Sequence, residues 1–321
     1  MGTEGFQDRY INPYTDFGFK LLFGTDMNKE LLVSFLNALL FGKEVIKNVT
    51  YLNTEHLGTQ EYDRRAVFDV YCENEQGEKI LVEMQRGEQQ FFKDRSLYYA
   101  TFPIREQAPR GEWDYELKGV YVIGILNFVF HESPSQVSSG GKSRLLSESA
   151  SDCFHHQVQL VDLKTKEVFY DKLTFIYLEM PKFNKTEAEL ETMFDKWMFV
   201  LRNLSGLLER PSALQERVFN RLFKAAEIAA FSPQRRSEYW ESLKNYRDWK
   251  NVLDTNMKKS YHKGRVEGLE EGLEKGRAEG LEEGKKEAAS TVARRMKAKG
   301  YSNEDIADIM GLPLDDLNKW L

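Results

Sequence analysis

Two acidic residues within one predicted β-hairpin are the part of this sequence best suited to chemistry. The stretch FDVYCENEQGEKILVEMQR, Phe68–Arg86, alternates like two strands around a turn, yet Asp69 and Glu83 stand where apolar side chains are expected. Two carboxylates that face each other in a sheet repel unless a cation lies between them. Mg²⁺ and Mn²⁺ favour such oxygen ligands, so the pair is a candidate divalent-metal site.

The turn between the two strands decides whether the acids face each other. Its commonest three-residue form ends with glycine in the left-handed conformation, which makes the loop Glu75–Gly77 and closes it with Asn74 and Glu78. This register places Asp69 opposite Glu83, with Cβ atoms about 5 Å apart. A two-residue turn in the same stretch would shift the pairing by one and send the carboxylates to opposite faces.

Gln85 is the third candidate of the site because it lies two residues after Glu83 and points the same way along a strand. The same register puts Gln85 opposite Val67. Its amide could donate a hydrogen bond to an attacking water or a phosphate oxygen. The alternative is that Asp69 and Glu83 are single acids on a solvated face of the sheet, although apolar residues line both faces of the hairpin.

Composition and length bound the kind of protein. With 321 residues, 41% of them hydrophobic and 30% charged, the chain is long enough for a core domain and a second unit. Only two cysteines occur, and neither has a setting that suggests a disulfide framework or a zinc site, which fits a reducing compartment. No apolar run is long enough to span a bilayer, so a cytoplasmic location is expected. A net charge of −6 argues against coating nucleic acid through bulk electrostatics.

The elements that must position the hairpin alternate between helix and strand. Helical spacing of apolar residues predicts one or two helices within Asp16–Phe41 and another over about Gln90–Gln107. The Ser- and Gly-rich stretch Glu132–Asp152 is predicted to be a loop. Strand patterns occur in VIKNVTYLN, LKGVYVIGILNFVF, HHQVQLVDL and LTFIYLEM, the second of which is continuously apolar and should lie in mid-sheet. The fold class is therefore α/β, with a mixed β-sheet flanked by helices and a helical C-terminal region.

The C-terminal region changes character. After residue 183 the patterns are helical, with a possible capping box at Thr186 and Glu189 and a new helix expected at Pro211. Four units are predicted: a core domain at 1–183, a helical region at 184–260, a glycine-repeat arm at 261–289 and a small helix-turn-helix-like module at 290–321. In that module Ser302 or Asn303 should cap a helix. Because its last helix starts with two acids, packing is a better explanation of the module than DNA reading.

The glycine-repeat arm has two possible explanations. Its sequence GRVEGLEEGLEKGRAEGLEEGKKE places six glycines four residues apart, and charged residues fill most other places. Small residues could allow close contact between helices, which would make the arm a stalk for homo-oligomers. A charged, partly helical linker is slightly favoured, because a period of four drifts about 40° per step around a helix and cannot hold one straight seam.

Four separated motifs resemble those of one family. NPYTDFGFKLLFG, FDVYCENEQGEKILVEMQR, DRSLYYATFPI and LTFIYLEMPKF are similar, in order and spacing, to the recombination-promoting nuclease or transposase family of the PD-(D/E)xK nuclease superfamily. The similarity covers roughly Tyr10–Phe183. It implies a PD-(D/E)xK nuclease-like core and a Mg²⁺- or Mn²⁺-dependent DNA endonuclease that hydrolyses phosphodiester bonds. A role in recombination or in handling mobile or invading DNA is implied as well.

The resemblance also assigns roles to the hairpin residues. Asp69 and Glu83 match the two metal-binding acids of the superfamily, and Gln85 stands where the superfamily has the lysine that orients the nucleophilic water. Glutamine departs from the superfamily pattern, although it is similar to what this family shows. A neutral amide can hold a water and contact phosphate, but it cannot supply positive charge to the transition state.

Further residues are expected around this site. Asp16, in TDFGFK, resembles the helix-borne acid that often completes such metal sites; the alternative is that it caps the helix. Lys20 lies one turn later and, like Lys93, is a candidate for DNA binding. On the helix after the hairpin, Arg95 and Tyr99 share one face and could present a phosphate-binding guanidinium and a packing aromatic to DNA. The alternative for Tyr99 is packing in the core, unless the helix lines the cleft. Lys93 and Arg95 are the nearest candidates for the missing positive charge.

Two other functions remain open from the sequence. The first is a catalytically degenerate DNA-binding or interaction protein of the same fold, which the glutamine in the lysine place and the acidic net charge would suit. The second is an assembly protein that oligomerises through the glycine-repeat arm.

Overall fold

The computed structural model describes residues 8–42, 45–56, 66–108, 111, 114–130 and 153–321. The loop predicted at Glu132–Asp152 lies outside these residues. The described strands are β1 (Val49–Tyr51), β2 (Glu55–His56), β3 (Ala66–Val67), β4 (Val70–Asn74), β5 (Lys79–Gln85), β6 (Val120–Leu126), β7 (His155–Val161) and β8 (Val168–Glu179). The described helices are α1 (Asp16–Phe23), α2 (Lys29–Leu40), α3 (Phe92–Glu106), α4 (Met193–Asn203), α5 (Arg217–Ala226), α6 (Pro233–Ala298), α7 (Asn303–Met310) and α8 (Leu314–Asn318).

Six of the described strands form one mixed sheet in the order β1-β4-β5-β6-β8-β7. Strand β6 runs parallel to both β5 and β8, and the other neighbours are antiparallel. The predicted α/β class with a mixed sheet is confirmed. Strand β6 lies inside the sheet, as its continuously apolar sequence predicts, because a strand covered on both faces has no solvated side.

The hairpin of β4 and β5 has the predicted register. Val70 pairs with Val82 and Glu73 with Lys79, the Asn74 N–H donates to the Glu78 carbonyl at 3.1 Å, and Gly77 has φ of +81°. Only glycine adopts such a φ without strain, so it selects the three-residue loop over the two-residue turn. The register is set locally.

One expected pair of this hairpin is wrong. Val67 does not lie opposite Gln85; it pairs with Glu55 in the separate two-stranded sheet of β2 and β3. Strand β4 begins only at Val70, so the chain leaves the β4–β5 ladder at Phe68 and Asp69. Ladder registers can be extrapolated along a strand only while the two strands stay paired.

Helix α3 covers one face of the sheet. Tyr71 and Leu81 are buried on this face with Val122 of the neighbouring strand, and Phe92 and Ala100 of α3 pack into the same core cluster. Since side chains alternate along a strand, Glu83 and Gln85 of β5 share the face of Leu81. The helix therefore covers the side of the sheet that carries two of the candidate site residues.

Of the two helix starts predicted after β8, one is confirmed and the other is wrong. Thr186 and Glu189 form the predicted capping box, at the start of a single 3₁₀ turn. The helix expected at Pro211 is wrong, because α5 begins at Arg217. Pro211 instead opens a turn in which its carbonyl accepts a hydrogen bond from the Leu214 N–H. Proline preorganises a turn as readily as a first helical residue.

The chain divides into two compact units, Met1–Arg247 and Asp248–Leu321. Helix α6 contains the boundary between them and also runs through the predicted boundaries at 260 and 289, so the glycine-repeat arm belongs to a continuous helix. The four predicted domains stay a prediction. Among the described residues, no helix combines the length and the apolar character needed to cross a bilayer.

The end of the second unit is a small helical module. Ala293, Ile306 and Leu317 form its buried core, which joins the end of α6 to α7 and α8. Ser302 caps α7 by accepting a hydrogen bond from the Asp305 N–H at 3.1 Å, and Gly311 ends the helix with φ of +63°. The predicted cap is confirmed.

The six glycines of the repeat offer a testable prediction. A Cβ atom added at any of them would meet no other heavy atom within 4 Å in the described chain. Replacing Gly272 and Gly276 by alanine should therefore raise the helix stability by about 1 kcal/mol each, since glycine is the poorer helix former. The loss of helical circular dichroism on heating measures the stability of the helix. The variant is expected to have the same mass in solution as the wild type. A lower mass would mean that the glycines hold an oligomer together, and it would support the stalk explanation instead.

Candidate active site

The carboxylate pair, Asp69 and Glu83, lies where β4 and the preceding chain separate from the ladder. The Asp69 N–H donates to Glu83 Oε1 at 3.2 Å, and the Met84 N–H donates to Asp69 Oδ2 at 2.8 Å. Glu83 is 8% exposed, and Asp69 is partly buried. The pair predicted from the turn is therefore brought together, with each side chain tied to the backbone of the opposite strand.

Both carboxyl groups of the pair resist ionisation. Burial raises the pKa of Glu83, and the charge of Asp69 raises it further. Burial also raises the pKa of Asp69, and the carboxylate of Asp16 adds to this, while Met84 N–H and the charges of Lys20 and Arg86 oppose it. Two neighbouring buried carboxylates are unfavourable when both are charged, unless a cation offsets their repulsion. The donor set therefore fits a small divalent metal ion.

The possible ligand set is small. Within the residues that the structure describes, no three His, Cys, Asp or Glu side chains gather in a way that could hold a metal ion. Mg²⁺ commonly uses one or two carboxylates and takes its remaining ligands from water and substrate phosphate. Asp69 and Glu83 alone suit this mode.

Asp16 lies on the first turn of α1, where its carboxylate forms an ion pair with Lys20 at 3.0 Å. It is not the helix cap, because Thr15 takes that role by accepting a hydrogen bond from the Gly18 N–H at 3.0 Å. Asp16 is close enough to Asp69 to affect the pKa of that residue. The expectation that Asp16 and Lys20 act in metal or DNA binding stays a prediction.

Gln85 is buried beside the pair, and its amide Nε2 donates to Glu83 Oε2 at 3.1 Å. As predicted, it points the same way as Glu83. The hydrogen bond orients the carboxylate and favours its charged form, but it brings no positive charge.

Arg95 approaches the site from α3. Together with Tyr99 it lines a small void that Glu83 and Gln85 also line. Its guanidinium lies over the rings of Phe92 and Tyr99, at 5.6 and 5.5 Å from their centroids, and its positive charge lowers the pKa of Glu83. The buried Nε of Arg95 has no hydrogen-bond partner. An arginine therefore stands next to the glutamine that occupies the lysine place.

Lys93 is not brought to the void. Its ammonium group lies over the ring of Phe130, 5.1 Å from the centroid, on an exposed part of α3. Each residue of a helix advances about 100° around the axis, so positions 93 and 95, two residues apart, point to nearly opposite sides. Of the two cations proposed to supply the missing charge, only Arg95 has the suitable position, and a DNA contact by Lys93 stays a prediction.

Sequence reasoning missed two arginines in a cavity close to the pair. Arg86 and Arg235 line a cavity of about 500 Å³ together with Asp16 and Lys20 of α1. Arg86 follows Gln85 directly, so its place in the site could have been suspected. Arg235 lies far along the chain in α6, and only folding brings it to α1.

The sheet and the site together define a class of protein. A mixed α/β sheet that carries a carboxylate pair at a strand divergence, with a third polar residue two places further along β5, is the arrangement of a PD-(D/E)XK nuclease-like protein. The chain matches the family model described as PD-(D/E)XK nuclease family transposase over residues 13–256, and it belongs to that family. Comparisons with curated proteins and with solved structures give no significant match.

Family membership confirms the resemblance seen in the sequence and supports a coarse function. PD-(D/E)XK nucleases generally use divalent metals, and the family implies nuclease-type hydrolysis and DNA binding.

Proposed function

We propose that the protein is a metal-dependent DNA endonuclease in which Asp69 and Glu83 hold one Mg²⁺ or Mn²⁺ ion. The observation that carries the proposal is that Glu83 accepts a hydrogen bond from the Asp69 N–H, while burial and a neighbouring carboxylate raise the pKa of each side chain. When bound, the metal would polarise the scissile phosphate and activate water for hydrolysis. A link to recombination or to mobile or invading DNA belongs to the same proposal.

The chain's own residues have separate tasks in this proposal. The Met84 N–H and the Asp69 N–H hold the two carboxylates in place, so the ligands are oriented before the metal arrives. Gln85 orients Glu83 and keeps a second amide hydrogen for water or phosphate. Arg95 supplies the positive charge that Gln85 lacks.

A nicking assay tests the proposal. Supercoiled plasmid is incubated with the full chain in Mg²⁺, in Mn²⁺ or in EDTA, and the nicked and linear products are measured. Product in either metal and none in EDTA is expected. The absence of product in both metals, with protein in excess over DNA, would contradict the proposal and favour the catalytically degenerate alternative.

The role of Arg95 leads to a separate prediction. Arg95→Gln should lower kcat about 100-fold with little change in KM, because removing one preformed donor or charge from a transition state costs about that much. Restoring the superfamily lysine in the double variant Gln85→Lys with Arg95→Gln should recover most of the loss. Cleavage of a fluorescent DNA substrate measures both parameters.

The matched control is Arg105→Gln, which removes an exposed arginine from the last turn of the same helix. It should cleave like the wild type. A rise in KM at constant kcat for Arg95→Gln would indicate that Arg95 binds DNA only, and failure of lysine at position 85 to recover activity would argue against a shared role.

A further inference from the structure

A cavity close to the carboxylate pair has neither Asp69 nor Glu83 in its lining. It has a volume of about 500 Å³ and lies between α1, the end of β5 and the first turns of α6. We call it the α1–α6 cavity, and the side chains that matter here are Asp16, Lys20, Arg86, Arg235, Glu238 and Glu241. Its volume falls in the range of about 300–1,000 Å³ typical of sites for small molecules.

One end of the α1–α6 cavity adjoins the carboxylate pair. Asp16, Lys20 and Arg86 line the cavity and are also the charged residues that act on the pKa of Asp69. Arg86 is the residue after Gln85, at the end of the strand that carries Glu83. This end of the cavity therefore lies close to Asp69, at the end of the strand that carries Glu83.

The charges of the cavity are only partly neutralised. Lys20 is paired with Asp16 at 3.0 Å. Among the described residues Arg86 has no ion pair or side-chain hydrogen bond, and the guanidinium of Arg235 contacts only the ring of Phe231, at 5.8 Å from its centroid. Free guanidinium groups next to a nuclease site are suited to phosphate.

The wall formed by α6 has a different character. Glu238, Glu241 and Asn245 lie on one face of the helix, three to four residues apart, and all line the cavity. Carboxylates repel a phosphate backbone, so this wall does not suit the backbone of a duplex. They do accept hydrogen bonds from the exocyclic amines of bases, as glutamate does from cytosine N4.

We propose that the α1–α6 cavity holds one unpaired nucleotide of the substrate strand, with its phosphate at Arg86 and its base against the α6 wall. The substrate would then be single-stranded, or locally unpaired, next to the bond that is cut. This inference rests on the proposed nuclease function, because it describes the substrate of that activity. The binding of the nucleotide itself needs no metal and no cleavage.

Equilibrium binding in EDTA tests the cavity separately from the nuclease activity. Labelled oligonucleotides of about ten nucleotides, a length that one single-strand site covers, are titrated with the full chain and followed by fluorescence anisotropy. We expect oligo-dC to bind at least about fivefold more tightly than a duplex of the same length. If plasmid nicking fails while this preference is found, the nuclease proposal falls and the cavity proposal stands.

Two variants with matched controls locate the contact. Arg86→Gln should weaken oligo-dC and oligo-dT alike, about fivefold to tenfold, and lower the salt slope by about one. Glu241→Gln should weaken oligo-dC about fivefold and leave oligo-dT unchanged, since thymine has no exocyclic amine. Arg105→Gln and Glu167→Gln remove the same charges from exposed positions outside the cavity and should bind like the wild type. Equal affinity for duplex and single strand, or variants equal to their controls, would overturn the proposal.

Discussion

Replacing Asp69 by asparagine is expected to lower DNA cleavage in Mg²⁺ at least about a thousandfold. Asparagine keeps the shape of the side chain and an oxygen that can accept from the Met84 N–H, so only the charge is lost. The metal contributes several kcal/mol to the transition state, and three powers of ten in rate correspond to about 4 kcal/mol. Initial rates of plasmid nicking, compared between variant and wild type at equal protein concentration, measure the loss.

The same variant should be no less stable than the wild type without metal. A carboxyl group whose pKa is raised on folding stabilises the protein below its unfolded-state pKa of about 4, and this contribution is lost as the pH rises through the folded-state pKa. Burial raises the pKa of both Asp69 and Glu83, and a neighbouring carboxylate adds to it, Asp16 for Asp69 and Asp69 for Glu83, so the pair is unfavourable in EDTA at pH 8. Removing one charge relieves that repulsion.

Thermal unfolding with and without metal separates the two effects. In EDTA at pH 8 we expect the Tm of Asp69→Asn to equal or exceed that of the wild type. Mn²⁺ should raise the Tm of the wild type but not of the variant, because a ligand stabilises only the state that binds it. If Mn²⁺ raised both equally, or if the variant cleaved DNA like the wild type, Asp69 would not be a metal ligand.

Replacing Gly18 by alanine is expected to destabilise the first unit by about 3 kcal/mol, as overpacking of a tight site commonly does. A Cβ at position 18 would lie 2.2 Å from the Asn12 carbonyl oxygen and 2.7 Å from Thr15 Oγ1. Both atoms belong to the turn that starts α1: Thr15 Oγ1 donates to the Asn12 carbonyl at 2.7 Å and accepts from the Gly18 N–H at 3.0 Å. The turn must open to make room.

This glycine also connects stability with the candidate site. The turn that it allows sets the start of α1, and α1 carries Asp16 and Lys20 next to the carboxylate pair. Urea unfolding of the full chain measures the loss, and Gly206→Ala is the control, because an added Cβ there meets nothing within 4 Å. If both glycine variants unfolded at the same urea concentration, the close packing around Gly18 would not be a source of stability.

Features that depend on a few neighbouring residues could be predicted. The left-handed Gly77 determined the loop of the hairpin and with it the contact of Asp69 with Glu83. Alternation placed Gln85 beside Glu83, and the hydroxyl of Ser302 marked the start of a helix. The physical reason is that turns, caps and strand alternation depend on backbone geometry within a few residues, which the sequence determines by itself.

Other features depended on which distant segments met. Val67 pairs with Glu55 of β2 and not with the hairpin, and the register of a hairpin does not show where its pairing stops. Because the sheet packs against one side of helix α3, Arg95 lies beside Glu83 and Gln85, whereas Lys93 lies over the ring of Phe130. Arg235 reached α1 only through the packing of α6. The sequence by itself thus determined which residues form the carboxylate pair and suggested candidate cations. The tertiary structure decided which of these cations lie beside the pair, since long-range contacts depend on the packing of the whole chain.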